Sequence, residues 1–231
     1  MGKNKNGKDR LIVDNGIHIC SLYNAFPYLT KDIKGNINSV PGKAVGMQSY
    51  GCVYDKLYRK LKPLFYGFDW YYTVTKPDGT AIIENEYIYK VVEDLFQVKN
   101  LKENKLDFWH GADLLATVQQ LFEEVVIKNI KPYAYKYNLP IVMTGGGALN
   151  VLCNTRIKNE FKLPVFVPCN ANDTGTALGG ILDTIKPKEQ IDVTFQNFDL
   201  FDRSKLPYYI DSRNGRDRKS TRLNSSHTVI S

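Results

Sequence analysis

Histidine, cysteine and long apolar runs are all scarce in this 231-residue chain, and each scarcity removes a class of function. The three histidines, His18, His110 and His227, stand too far apart for a His-x-x-x-His metal pair. The four cysteines, Cys20, Cys52, Cys153 and Cys169, include no C-x-x-C pair, which argues against a zinc finger or a dithiol redox motif. No apolar run approaches the roughly 18–20 residues of a membrane span, so no membrane role is expected. The basic start MGKNKNGKDR is not followed by the apolar h-region of a signal peptide. Reduced thiols and a cytoplasmic location are the expectation.

Excess charge in the body of the chain is also smaller than the total suggests. Of the formal net charge of +7, residues 3–10 hold +3 and the last fifteen residues hold +2. About +2 is left for everything between. A high isoelectric point is therefore poor support for a nucleic-acid partner, and no basic stripe favours one. What remains, 43% hydrophobic and 24% charged residues, is an ordinary globular composition with room for one medium domain or two small ones.

The chain is organised around residues 139–182, LPIVMTGGGALNVLCNTRIKNEFKLPVFVPCNANDTGTALGGIL. The apolar run Ile141, Val142, Met143 reads as a buried strand cut off by Thr144 and the glycines Gly145, Gly146 and Gly147. Three glycines offer backbone N–H groups with no side chains in the way and tolerate positive φ. A helical pattern from Ala148 sets those groups near a helix N-terminus, where anions are favoured. The outline then repeats, with a strand at 165–167, a loop at 169–173 and a helix at 174–185. Two strand–loop–helix units with ligand chemistry at the C-terminal ends of the strands are how open α/β sheets build sites. The residues alone point to a nucleotide or phosphate site, against a bland reading in which the glycines make only a tight turn and close packing. Asp173 is open in the same way, between a helix N-cap and a ligand.

Earlier in the chain the patterns predict a short strand at 11–13, a helix within 17–32 and a loop at 31–41. They predict helices at 53–64, 86–96 and 111–130, the last with Asp113 in its first turn and Pro132 ending or kinking it. A hairpin is expected over 70–83, with Lys76, Pro77, Asp78 and Gly79 as its turn. Residues 42–51, GKAVGMQSYG, set three glycines around Lys43, which could meet an anion as a point charge or stand exposed beside a turn. The aromatics between Phe65 and Tyr72 could stack on a base, but read better as core or subunit contact. Beyond Lys186 the pattern decays.

Four ordered stretches carry a resemblance. GGGALN at 145–150 with Asn154 downstream, NDTGTALGG at 172–180, PGKAVGMQSYG at 41–51 and ADLLATVQQLFEE at 112–124 resemble motifs of the NodU/CmcH-type O-carbamoyltransferases. Those motifs are GGVALN, D-[AST]-G-x-A-x-G, GKxMGLxxYG and DxAxxxQ respectively. The likeness spans residues 40–186. It implies an α/β fold of actin/hexokinase/acetate-kinase (ribonuclease H-like) type. It implies use of ATP and carbamoyl phosphate, with a carbamoyl group passing through a carbamoyl-adenylate to the hydroxyl of a small-molecule acceptor. Gly145, Gly146 and Gly147 would line the nucleotide, with Asn150, Asn172 and Thr174 near it, and Asp173 would be a ligand of Fe²⁺ or a similar divalent metal. Asn150 and Asn154 would help to fix the loop.

The departures are equally plain. The family's other metal ligands come from a His-x-x-x-His motif and an acidic loop upstream of the glycine-lysine segment. Only His18 precedes that segment here. The resemblance also implies a second, YrdC-like domain that makes the carbamoyl-adenylate. It has no counterpart here, so the chain reads as the second half of the family's first domain, with 187–216 a connector and the catalytic residues unassigned. Rival readings are a threonylcarbamoyl-transfer or sugar-kinase relative on the same fold, and a degenerate nucleotide-binding domain without catalysis.

Residues 217–231, DRKSTRLNSSHTVIS, resemble the in-frame translation of a sequencing adapter, against a bland alternative of a disordered polar tail. Deleting them is expected to leave the melting temperature unchanged. A large drop in thermal unfolding would show instead that they are folded structure.

Overall fold

The structure is a computed structural model and describes residues 2–3, 9–10, 19–67, 73–168, 171–173 and 175–186. The chain divides after Thr184 into two units, and all packing given below lies within the first. The expected strand at 11–13, Trp70 to Tyr72, Cys169, the connector and the tail lie outside the described residues.

Within the basic start, β1 (Gly2–Lys3) pairs antiparallel with β2 (Asp9–Arg10). The helix expected within 17–32 is α1 (Ile19–Ala25), continued by a 3₁₀ turn (Phe26–Leu29) with Pro27 near its start. α2 (Val40–Met47) follows, and Pro41 opens it with a φ already suited to a helix. The glycine-rich 42–51 segment is therefore mostly helical. Lys43 donates to the backbone carbonyl of Lys34 at 2.6 Å and remains exposed. α3 (Asp55–Gly67) runs on through Pro63. β3 (Thr73–Thr75) and β4 (Ala81–Ile83) form the expected hairpin, paired Val74 to Ile82, and α4 (Glu86–Phe96) keeps its predicted bounds.

The longest element is α5 (Phe108–Tyr137), which starts earlier and ends later than its pattern predicted. It starts earlier because Asp107 caps it, accepting from the N–H groups of Trp109 at 3.0 Å and His110 at 3.1 Å. It passes through Pro132 because Pro132 and Lys128 are both exposed, so the carbonyl that loses its partner lies on the solvent side. It stops at Asn138 in left-handed geometry, φ 48°. Asp113 consequently sits past the first turn, and its carboxylate accepts from the Cys52 N–H at 2.7 Å instead of serving the helix dipole.

α1, α2, α3 and the helix that follows the glycine loop all pack on α5, and α4 packs on α3. Leu114, Leu115, Val118, Leu121, Phe122, Val125 and Val126 are all buried, so this helix is apolar over more than one face. Its remaining face is a ladder of acceptors. Thr117 Oγ1 accepts from Tyr54 N–H at 2.9 Å, and Glu124 accepts from the Tyr58 hydroxyl at 2.6 Å. With Asp113 they bind residues 52–58 along the helix. Gly51 allows this approach, because a Cβ there would collide with the backbone of Ala112.

The described residues are thus mixed helix and strand, mostly helical, in agreement with α/β at that level. Among them no helix is long and apolar enough to cross a membrane.

The N–H groups of His110 and Trp109, with the His110 ring at 2.8 Å, hold the Asp107 carboxyl below the ordinary aspartate range. Its folded pKa lies under its unfolded one, so the cap contributes fully above the ordinary value and is lost as pH falls through the folded value. Asp107→Ala is expected to cost about 1 kcal/mol in urea unfolding at neutral pH. That difference should shrink on acidification below the carboxylate range, and a pH-independent difference would show that capping is not its source.

Candidate functional site

The parallel unit that the sequence predicted is present. β5 (Ile141–Val142) pairs parallel with β6 (Val165–Phe166), Ile141 opposite Val165. Alternate N–H groups of the first strand climb the second: Ile141 to Pro164 at 2.8 Å, then Met143 to Phe166 at 2.9 Å. The next rung leaves the sheet. Gly145 N–H donates to the carbonyl of Ala171 at 2.6 Å and so ties the glycine loop to the loop after β6. The two candidate segments meet at the C-terminal ends of neighbouring strands, where open sheets place ligands.

The three glycines stand there for three different reasons. Gly145 has φ 87° and ψ 169°, a conformation that a side chain makes costly. Gly146 is exposed, and a Cβ on it would meet nothing within 4 Å. Gly147 faces inward, and its Cβ would lie 2.8 Å from Cys20 Sγ. Turn, access and packing are each represented, so neither the ligand reading nor the bland one describes all three. Gly145 spends its N–H on Ala171, whereas those of Gly146 and Gly147 are unpaired among the described residues. These two open a 3₁₀ turn (Gly146–Leu149), which leads into α6 (Val151–Phe161). The 3₁₀ turn is why the helix begins three residues later than Ala148.

Asn150 is 7% exposed and works beneath the loop. Its Oδ1 caps α6 by accepting from Cys153 N–H at 3.1 Å. Its amide also exchanges two hydrogen bonds with Gln119 of α5: Nδ2 donates to Gln119 Oε1 at 2.9 Å, and Gln119 Nε2 donates to Asn150 Oδ1 at 3.1 Å. The Tyr23 hydroxyl donates to the same Gln119 oxygen at 3.0 Å, and Gln119 Nε2 also donates to Glu123 at 2.6 Å. Glu123 in turn holds Arg156 at 2.9 Å. Asn154 donates to the Ala148 carbonyl at 2.6 Å, and its Oδ1 is the one buried side-chain polar atom without a partner among the described residues.

On the second loop, Asn172 and Asp173 are exposed. Their carbonyls accept from Gly175 and Thr176 N–H at 3.0 and 3.1 Å and start α7 (Gly175–Ile185). The helix begins at Gly175, so Asp173 stands one residue ahead of the N-cap position. Thr174 and His18 lie outside the described residues. Among the described residues no three of His, Cys, Asp and Glu gather to hold a metal. The described residues therefore do not by themselves fit a metal site. His110, on the Asp107 cap and against the Phe96 ring, belongs to the start of α5.

Sequence reasoning gave Gln119 and Cys20 no role, although Gln119 is the glutamine of the DxAxxxQ pattern counted from Asp113. Gln119 had a signal: on a helix it lies between Leu115 and Phe122, on an apolar arc, where a polar side chain needs a built partner. Cys20 had none. Burial raises the thiol pKa of Cys20 and pushes that of Cys153 up to about 12, so both act as small apolar groups and not as nucleophiles.

Comparison with known families then gives one finding: the family described as carbamoyltransferase N-terminus matches residues 4–182. No curated protein and no solved structure matches the chain.

Gly147→Ala is expected to cost about 1–3 kcal/mol from overpacking, and much less in a Cys20→Ala background. Gly145→Ala should cost about 1–3 kcal/mol from its backbone conformation in either background. Gly146→Ala should be near neutral for stability. Chemical denaturation of the set checks this, and a Gly147 cost unchanged by removing the Cys20 sulfur would remove the packing explanation.

Proposed function

The chain belongs to the carbamoyltransferase N-terminus family, and on that premise we propose that it carries part of the nucleotide site of an ATP-dependent O-carbamoyltransferase. The observation that carries the reading is the Gly145–Ala171 rung, which brings two loops together above parallel strands, with the Gly146 and Gly147 N–H groups unpaired among the described residues. Two unpaired, adjacent N–H groups with no side chain over the first are suited to phosphate oxygens. In this reading carbamate from carbamoyl phosphate would displace pyrophosphate from ATP on the family's second domain, and the carbamoyl group of the resulting adenylate would pass to a small-molecule hydroxyl as AMP leaves.

The chain's own residues have limited, specific tasks in this reading. Gly146 and Gly147 donate to the phosphates. Asn150 holds the loop from below and touches no ligand. Asn172 and Asp173, exposed on the facing loop, stand where polar contacts to the bound nucleotide would be made. Asp173 is the candidate for a divalent ion, but it has no partner ligands among the described residues, so no step is assigned to a metal. The fold that accompanies the reading is the actin/hexokinase-like one, supported by the parallel order of the two strand–loop–helix units.

With no metal group assembled among these residues, nucleotide binding by the chain should be weak. Titration with magnesium-ATP, followed by amide chemical shifts, is expected to move Gly146 and Gly147 first and to saturate in the millimolar range. Shifts centred elsewhere, or none, would overturn the site. Micromolar binding by calorimetry would contradict the view that it is partial.

A further inference from the structure

The glycine loop touches little that could hold it still. Its outer residues, Gly145, Gly146 and Leu149, are exposed. Its sheet has two strands of two residues each, far too little to fix a loop by itself. Gly145 is held to Ala171, a residue of another loop. Beneath it Gly147 lies close to Cys20 and Ala148 is buried, and among the described residues two polar side chains hold it by hydrogen bonds. Asn154 takes the Ala148 carbonyl, and Asn150 closes the 3₁₀ turn and caps α6 at the same point. Of these two, only Asn150 is anchored by a side chain on another helix: Gln119, 3% exposed, in the middle of the best-buried stretch of α5.

We infer that Gln119 is a positioning residue for the glycine loop, setting where the Gly146 and Gly147 N–H groups point through its paired hydrogen bonds to Asn150. The inference rests on the nucleotide reading of the same loop. Its geometry is that of two planar amides, each donating and accepting, which fixes distance and relative orientation together. A single hydrogen bond would fix distance alone. The Tyr23 hydroxyl from α1 and the Glu123 carboxylate from α5 occupy the remaining acceptor and donor capacity of Gln119. The Gln119 amide therefore has one satisfied orientation, since a flip would set its oxygen against the Glu123 carboxylate and its N–H₂ against the donor N–H₂ of Asn150. Asn150 inherits that orientation. The signal reaches the loop through one further bond, Asn150 N–H to the Gly147 carbonyl at 3.1 Å.

The test uses the full chain with Gln119→Glu, Gln119→Met and a control, Thr117→Val, which removes the Tyr54 contact from another face of the same helix. Gln119→Glu keeps size and acceptors but loses the donor at neutral pH. Amide hydrogen exchange without nucleotide is read at Ala148, Asn150 and Cys153, whose N–H groups are all hydrogen-bonded, and compared with α4. Both Gln119 variants are expected to speed exchange at those three amides about tenfold relative to α4, as loss of one buried hydrogen bond implies. Thr117→Val should leave them unchanged relative to α4. Magnesium-ATP titration should then show weaker binding in both Gln119 variants than in the control. If Gln119→Glu leaves the loop amides as in the parent, or if Thr117→Val disturbs them equally, Gln119 only fills volume and the inference fails. If loop exchange changes as expected but the parent protein shows no ATP shifts at the loop, the positioning stands and the nucleotide reading falls.

Discussion

The paired amides of Gln119 and Asn150 are the constraint on which the candidate site depends. They join the middle of α5 to the start of α6, and no covalent connection does this within thirty residues of sequence. Apolar burial supplies most of the stability: each buried Leu, Val or Phe on α5 is worth about 1.5–3 kcal/mol. That attraction is non-directional, however, and it would tolerate α6 rotated or shifted by a residue. Two buried amides left unpaired would each cost about 1–3 kcal/mol. The amide pair therefore selects one arrangement among several that are comparably apolar, and the glycine loop is attached to the helix so placed.

A second junction of the same kind lies on another face of α5. Gly51 approaches the backbone of Ala112, and Cys52 and Tyr54 donate to Asp113 and Thr117. The glycine-rich 42–51 segment and the Asp113 helix, which resemble separate family motifs, are thus explained in part by their contact with each other. Lys43, the one residue in that segment with anion-binding chemistry, is bound to a backbone carbonyl at the surface. Motif residues here divide between those that shape the scaffold and those that face outward, and the division runs through individual motifs. GGGALN contains both kinds, with Gly147 and Asn150 turned in and Gly146 turned out.

Family membership narrows the chemistry to carbamoyl transfer, and the geometry narrows the part this chain plays. The open N–H groups, the exposed Asn172 and Asp173, and the buried struts beneath them form a surface that is firm below and accessible above.

Local physics made much of this legible in advance. The hairpin and α4 follow from periodicity and turn residues within a dozen positions, because each reports its own burial pattern. The strands at 141 and 165 lie where their apolar runs put them, but Val142 and Phe166 are exposed and not buried as the run suggested. The sequence alone also placed the two candidate loops at strand ends and identified the family. It could not divide the labour among Gly145, Gly146 and Gly147, because the reasons for two of them lie with Ala171 and Cys20, across gaps of twenty-six and more than a hundred positions. It could not extend α5 back to its Asp107 cap or forward through Pro132, since a cap depends on local geometry and a tolerated proline depends on which side faces water. Above all it could not pair Gln119 with Asn150. A polar residue in an apolar stripe announces that it needs a partner, but which partner it meets is decided only when tertiary packing brings two helices to hydrogen-bonding distance.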